Sequence, residues 1–172
     1  MITPLRTPVL GLAAFSGTGK TTLLRRVIPL LRMRGLKLGL IKHSHHSFAI
    51  DKPGKDSYNL SRAGAMQTVI ASRQRTVTVV NHTANAEPAL AQFLQRLDDD
   101  HLDLILVEGF KYQPIPKIEL HRPSLNQPLL CSHDPFIVAV ASDAPLAMQI
   151  AIPILDLNNP AIIADFIQDA TA

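Results

Sequence analysis

Residues 8–24, PVLGLAAFSGTGKTTLL, constrain the fold more than any other stretch of this chain. Pro8 to Phe15 is a nearly unbroken apolar run, the pattern of a strand buried on both faces within a parallel sheet. It leads without a spacer into Ser-Gly-Thr-Gly-Lys-Thr. From Lys20 to Arg34 the apolar residues Leu23, Leu24, Val27 and Leu31 recur at helical spacing, and Gly35 suits the position just past a helix end. Pro29 inside this helix removes one backbone hydrogen bond and crowds the carbonyl of Arg25, at roughly 3 kcal/mol, so the sequence predicts a kink or an early end there.

A buried strand, a glycine-bearing turn and a helix opened by lysine form a phosphate-binding loop. Successive backbone N–H groups converge on one anion, the helix N-terminus adds partial positive charge, and the lysine neutralises the outer phosphates. The usual pattern G-x-x-x-x-G-K-[ST] has Ala14 in its first place. Gly17 and Gly19 occupy the positions where backbone must meet phosphate. Ala14 lies at the strand exit, where a methyl is tolerated if the dihedrals are ordinary. Lys20 is expected to bridge the outer phosphates and Thr21 to offer its hydroxyl to Mg²⁺, with Gly17, Thr18, Gly19 and Thr22 around the inner phosphates. The second half of such a site is an acid ending another buried strand. LDLILVEG (102–109) supplies Glu108, with Gly109 leaving room for the phosphate end. Lys20 and Glu108 are the candidate catalytic residues. A further metal-side acid is expected after the second strand, where Asp51 and Asp56 compete; Asp51 is the stronger choice.

Further strands are predicted at 36–43, 67–72, 76–80, 116–120, 136–141 and 152–157, with helices near 56–64, 87–97 and 160–169. Strands alternating with helices point to an α/β, doubly wound, mostly parallel sheet of the P-loop NTPase type, formed by a single domain over 1–172. Arg122 to Asp134 is the expected long loop. At 172 residues and 47% hydrophobic the chain suffices for one core. Its 17 Lys+Arg against 14 Asp+Glu form no basic run suited to nucleic acid, so small anions are the expected partners. Cys131 is the single cysteine, no segment reads as a signal peptide or a membrane span, and a cytoplasmic protein is expected.

FSGTGKTTLL, GLIKHSHH, DKPGKDSYNLSRAGA, LDLILVEGFK and VAVASD together closely resemble the MobB family, the GTP-binding adaptor proteins of molybdopterin-guanine dinucleotide biosynthesis. DKPGKDS with VEGFK is more specific than the phosphate loop, and the resemblance runs through most of residues 9 to 143. It implies a dimeric P-loop domain that binds GTP and Mg²⁺, hydrolyses GTP weakly at most, and assists a partner enzyme joining GMP to molybdopterin. Molybdopterin or its guanine dinucleotide is a further implied ligand. It also implies that Ala14 is permissible. A strand-rich middle, 67–80 and 116–120, adds edge that favours a homodimer.

The N-K-x-D box of many GTPases is absent. Asp143, just beyond a buried strand, is the candidate guanine reader, since a carboxylate can accept from N1–H and the 2-amino group. Asp156 is the alternative, and a turn-forming role before Pro145 competes. His43, His45 and His46 are weak metal candidates, lacking a closed ligand set. Lys42, Lys52, Lys55, Lys111 and, more weakly, Arg62 are candidates for an anionic pterin phosphate. Two other readings stand beside the adaptor: a small-molecule kinase or ATP-dependent ligase of the dethiobiotin-synthetase type, and a metal-delivery GTPase.

Overall fold

The computed structural model describes residues 6–44, 54–82 and 87–171. Asp51, Lys52, His45 and His46 lie outside the described residues. Two compact units emerge, one formed by residues 1–43 and 89–172, the other by residues 44–88 inserted between them.

The larger unit is built on a six-stranded, all-parallel sheet. Its strands are β1 (Val9–Ala13), β2 (Leu38–Lys42), β5 (Leu104–Glu108), β6 (Lys117–His121), β7 (Ile137–Ser142) and β8 (Ile154–Asp156), in the order β2-β5-β1-β6-β7-β8. β5 and β6, the two neighbours of β1, are buried at every position. β5 (LILVE) accordingly reads as a nearly continuous apolar run, whereas β6 (KIELH) alternates polar with apolar residues and buries its polar set, Lys117, Glu119 and His121, as well. The segment 116–120 is therefore interior to the sheet and offers no free edge, contrary to its expected part in a dimer surface.

One face of the sheet is covered by α1 (Lys20–Met33) and α4 (Pro160–Thr171), which pack against each other. Leu23, Leu24, Val27 and Leu31 of α1 join Ile163, Ala164 and Ile167 of α4 over Leu10, Leu12, Leu104, Leu106 and Ile118. On the other face Leu90 and Leu94 of the short α3 (Leu90–Leu94) pack on Ile41, Ile105 and Val107. The helix expected over 87–97 is thus reduced to a little over one turn.

Pro29 does not end α1. Four buried side chains bracket it, Leu23, Leu24 and Val27 before and Leu31 after, and their burial outweighs the one lost bond. The helix stops instead in a Schellman motif at Gly35 (φ 91°). The Leu36 N–H donates to the Leu31 carbonyl at 3.2 Å and the Gly35 N–H to the Arg32 carbonyl at 3.0 Å.

The smaller unit holds α2 (Asp56–Arg62) and an antiparallel hairpin of β3 (Gln67–Ala71) and β4 (Thr76–Val80), paired from Gln67 opposite Val80 to Ala71 opposite Thr76. The sequence places both strands correctly, but they form their own two-stranded sheet rather than extending the main one.

The expected loop 122–134 is irregular but anchored. Short 3₁₀ turns at Pro123–Leu125 and Leu130–Ser132 interrupt it, and the buried Glu119 carboxylate of β6 accepts the Leu130 and Cys131 N–H groups, each at 2.8 Å. Burial, then the adjacent Glu119 charge, pushes the Cys131 thiol pKa up. Hydrogen bonds to a charged acceptor are worth about 1.5–3 kcal/mol each. Glu119→Ala is therefore expected to lower stability by roughly 3 kcal/mol or more in urea denaturation. It should also speed alkylation of Cys131 near pH 8, because both the anchor and the repelling charge are gone; unchanged stability and alkylation would refute the anchor.

Candidate functional site

The phosphate loop takes the shape its sequence calls for. Gly17 (φ 80°) and Gly19 (φ 103°) are both left-handed, the region that side chains disfavour, whereas Ala14 has no positive φ and is buried at the end of β1. The methyl at the first loop position therefore costs no backbone strain. Thr18 closes the turn by donating its hydroxyl to the Phe15 carbonyl at 2.9 Å. The Lys20 ammonium donates to the Ala14 and Phe15 carbonyls at 3.1 and 3.2 Å, which folds it back over the loop. Its pKa is lowered, chiefly by burial, and further by the Lys111 and Lys42 charges, with Glu108 acting in the opposite sense.

Parallel pairing of β1 with β5 sets Leu12 opposite Glu108, so the acid emerges at the same sheet end as the loop. The Thr21 hydroxyl, in the first turn of α1, donates to Glu108 Oε1 at 2.7 Å. Lys42, ending β2 on the far side of β5, sets its ammonium 2.9 Å from the same oxygen and 3.1 Å from the Thr21 oxygen. A cation already lies against both members of the expected metal pair, so the donor set suits a hard cation. A hydroxyl and one carboxylate beside bound phosphates are what Mg²⁺ ordinarily takes from a protein.

Gly109 (φ 97°) has a different reason from the one expected of it. A Cβ there would lie 2.8 Å from His43 Cβ, so the glycine admits His43 rather than phosphate. His43 donates its backbone N–H to the Glu108 carbonyl at 2.8 Å and stacks on Phe110, centroids 4.5 Å apart. It serves as a packing residue behind Glu108, and among the described residues no group of three or more His, Cys, Asp or Glu is placed to hold a metal ion.

Thr22 is exposed in the first turn of α1. Lys111 lies over the Phe15 ring at 4.6 Å and so borders the loop. Lys55, Asp56 and Arg62 belong to the inserted unit, where Asp56 opens α2 and Arg62 bonds the Tyr58 hydroxyl at 3.3 Å. Asp156 accepts the Asn158 N–H at 2.8 Å and is a turn former.

Asp143, by contrast, does not act as a turn former. It pairs with Arg122, which also donates from Nε to the Thr18 carbonyl at 2.9 Å. The second Asp143 oxygen, Oδ1, is buried with no hydrogen-bond partner among the described residues. Arg122, which ties the loop to Asp143, is a residue of this site that sequence reasoning passed over. It was legible in principle, standing directly after a buried parallel strand, at the sheet end where α/β folds bind ligands.

The model of the family described as Molybdopterin guanine dinucleotide synthesis protein B, MobB, matches residues 9–143. The chain belongs to this family. It is 50% identical over 162 residues to the molybdopterin-guanine dinucleotide biosynthesis adapter protein of Escherichia coli K12, covering 93% of this chain and 91% of that one. The Haemophilus influenzae protein of the same name is 43% identical over 163 residues, covering 94% and 88%. Among solved structures, Bacillus subtilis MobB superposes with a TM-score of 0.74 at 19% identity, covering 96% and 98% of the chains, and shares the fold. A molybdopterin-guanine biosynthesis protein B superposes with a TM-score of 0.71 at 26% identity, covering 94% and 99%.

Lys20 is the loop's own cation, and among the described residues two neutral carbonyls are its hydrogen-bond partners. Lys20→Ala should leave the fold intact and weaken binding of Mg²⁺-pyrophosphate at least about tenfold by calorimetry, the loss of one or two charge-assisted bonds. Equal affinity in a folded variant would sink the loop as an anion site.

Proposed function

We propose that this chain is a GTP-binding adapter in molybdopterin-guanine dinucleotide biosynthesis. It would act with Mg²⁺ and alongside the guanylyltransferase that joins GMP to molybdopterin. The observation carrying this reading is the convergence of Lys20, Thr21, Glu108 and Lys42 at one sheet end, in a chain whose near-full-length relatives are named adapter proteins of that biosynthesis. Lys20 and the loop amides would hold the β- and γ-phosphates, while Thr21 and Glu108 would hold Mg²⁺ directly or through water. When bound, Mg²⁺ would offset the charge of the phosphates that Lys20 and the loop amides hold. Lys42, whose ammonium now rests on Thr21 and Glu108, would be free to turn toward phosphate. Molybdopterin, or its guanine dinucleotide, is a further anionic ligand for Lys42 and Lys111.

Guanine selection falls to Asp143. Its Oδ1 is buried and unpartnered, which suits an acceptor waiting for a base N–H. With Oδ2 already engaged by Arg122, Oδ1 takes the principal bond from guanine, a narrower role than a symmetric two-oxygen contact.

A homodimer is part of this reading. The β3–β4 hairpin is a two-stranded sheet, marginal alone in water, and it leaves Val69 64% exposed with Met66 beside it equally open. A second copy of the chain would cover it.

Hydrolysis is expected to be slow. Fast phosphoryl transfer needs an extra cation on the transferring group, often an arginine. Arg122, the arginine bonded to the loop, is committed to a loop carbonyl and to Asp143. The reading contains no group-transfer step on the chain alone, which separates it from a kinase or ligase. No helix among the described residues is long and apolar enough to cross a membrane, in keeping with work in the cytoplasm.

Two measurements test the proposal. In competition titration GTP should displace a labelled guanine nucleotide well ahead of ATP, and Asp143→Asn should weaken GTP while gaining XTP, whose 2-position carries an oxygen. GTP affinity unchanged in that variant, with no gain for XTP, would move the base contact elsewhere. The purified chain, dimeric by light scattering at micromolar concentration, should turn over GTP well below about 1 s⁻¹ and yield no guanylylated pterin until the guanylyltransferase is added. Transfer by the chain alone near ~10 s⁻¹ would replace the adapter reading with an enzyme.

A further inference from the structure

Arg122 makes its contacts in three directions. Nε donates to the Thr18 carbonyl at 2.9 Å and Nη1 pairs with Asp143 Oδ2. Nη2 faces Gly19, where a Cβ would come within 3.7 Å of it. One planar group thus ties the loop after β1 to the ends of β6 and β7, strands that lie side by side in the sheet.

The geometry of the peptide group gives this tie a consequence for anion binding. The Thr18–Gly19 peptide is trans, as are all the described peptides, so its carbonyl and its N–H point in opposite directions. Holding the Thr18 carbonyl toward Arg122 turns the Gly19 N–H away from it, toward the concave side where a phosphate loop collects its anion. Gly19 is also the residue preceding the first turn of α1, so this N–H adds to the positive end of that helix. At its other end the same guanidinium fixes one Asp143 oxygen and leaves Oδ1 buried and unpartnered.

We propose that Arg122 is a positioning residue serving both halves of the nucleotide site: it sets the Gly19 N–H for phosphate and presents Asp143 Oδ1 to an N–H of the purine. This rests on the nucleotide reading above and adds to it a residue and a coupling between the phosphate and base ends. The role requires a guanidinium. Its planar fork holds two acceptors at fixed angles, whereas a lysine ammonium is a single point that cannot span Thr18 and Asp143 together.

The test uses the full chain, its Arg122→Ala and Arg122→Lys variants, and three ligands with Mg²⁺: inorganic pyrophosphate, GTP, and ITP, which lacks the 2-amino group. Pyrophosphate reports on the loop alone, and the GTP-over-ITP preference reports on the acid. Arg122→Ala is expected to weaken pyrophosphate about five- to tenfold and to shrink the GTP-over-ITP preference toward unity. Arg122→Lys, which keeps the charge and supports the fold, should recover at most one of these two readouts. A brace that matters only for folding would lower the melting temperature and leave both readouts at the wild-type value, and that result overturns the proposal. Recovery of both readouts by lysine would overturn the bridging geometry. Wild-type protein that binds neither pyrophosphate nor GTP would overturn the nucleotide reading itself, an outcome distinct from wild-type binding that Arg122→Ala leaves untouched.

Discussion

The pairing of β1 with β5 is the constraint on which the remainder of the site depends. Neither strand carries the chemistry alone: β1 delivers the phosphate loop and β5 delivers Glu108. Only their parallel register, Leu12 opposite Glu108, puts the Thr21 hydroxyl 2.7 Å from the carboxylate. That register is enforced by burial. Leu104, Ile105, Leu106 and Val107 are sealed on both faces, so a slip of one residue would exchange the side chains facing α1 and α4 with those facing α3. A kilocalorie-scale contact between Thr21 and Glu108 could not hold two strands in register, but a double-sided core can, and the contact inherits its precision.

What supports Glu108 from behind follows the same logic. Gly109 and Phe110 are both left-handed, at 97° and 52°, an uncommon conformation for a phenylalanine. The turn brings the Phe110 ring under His43, and the His43 backbone caps the Glu108 carbonyl. The strained residue is adjacent to the functional acid, as backbone strain often is. It stays in place because the His43 ring and the ring of Phe93, 6.1 Å away, pack on it.

The sequence was most legible where chemistry and burial coincide. The apolar run of β1, the two loop glycines and the acid at the end of β5 each have a local signature, and the fold places all three as read. Lys42 and Arg122 had only the weaker signal of standing at a strand end, which marked Lys42 among several candidate lysines and left Arg122 unremarked, because a lone cation there looks like any surface residue until strand order is known. With β2 next to β5 and β6 next to β1, both cations point into the loop's surroundings. Strand order is a long-range property that periodicity does not carry. The same limit explains why 116–120 read as spare edge: its five residues give no hint that strands flank them on both sides. That Pro29 does not end α1 has a complementary reason, since propensity counts the lost hydrogen bond and not the side chains buried around it. Gly109 was placed correctly and explained wrongly, because only the fold brings His43 against it.

Four cations and two acids crowd this end of the sheet, and how they are committed bears on how an anion would enter. Lys42 rests on Glu108, Arg122 on Asp143, and Lys111 over aromatic rings. Among the described residues Lys20 has only backbone carbonyls as hydrogen-bond partners, while burial and two neighbouring ammonium groups lower its pKa. A lysine whose folded pKa lies below its unfolded value of 10.5 binds fewer protons folded than unfolded between those two values, so stability rises with pH through that interval. At lower pH the ligand-free fold carries the full penalty of that charge. A phosphate beside Lys20 removes it, because a nearby opposite charge favours the ammonium form. In the nucleotide-binding reading proposed above, an anion arriving at the loop would relieve that penalty, and the relief would add to its affinity.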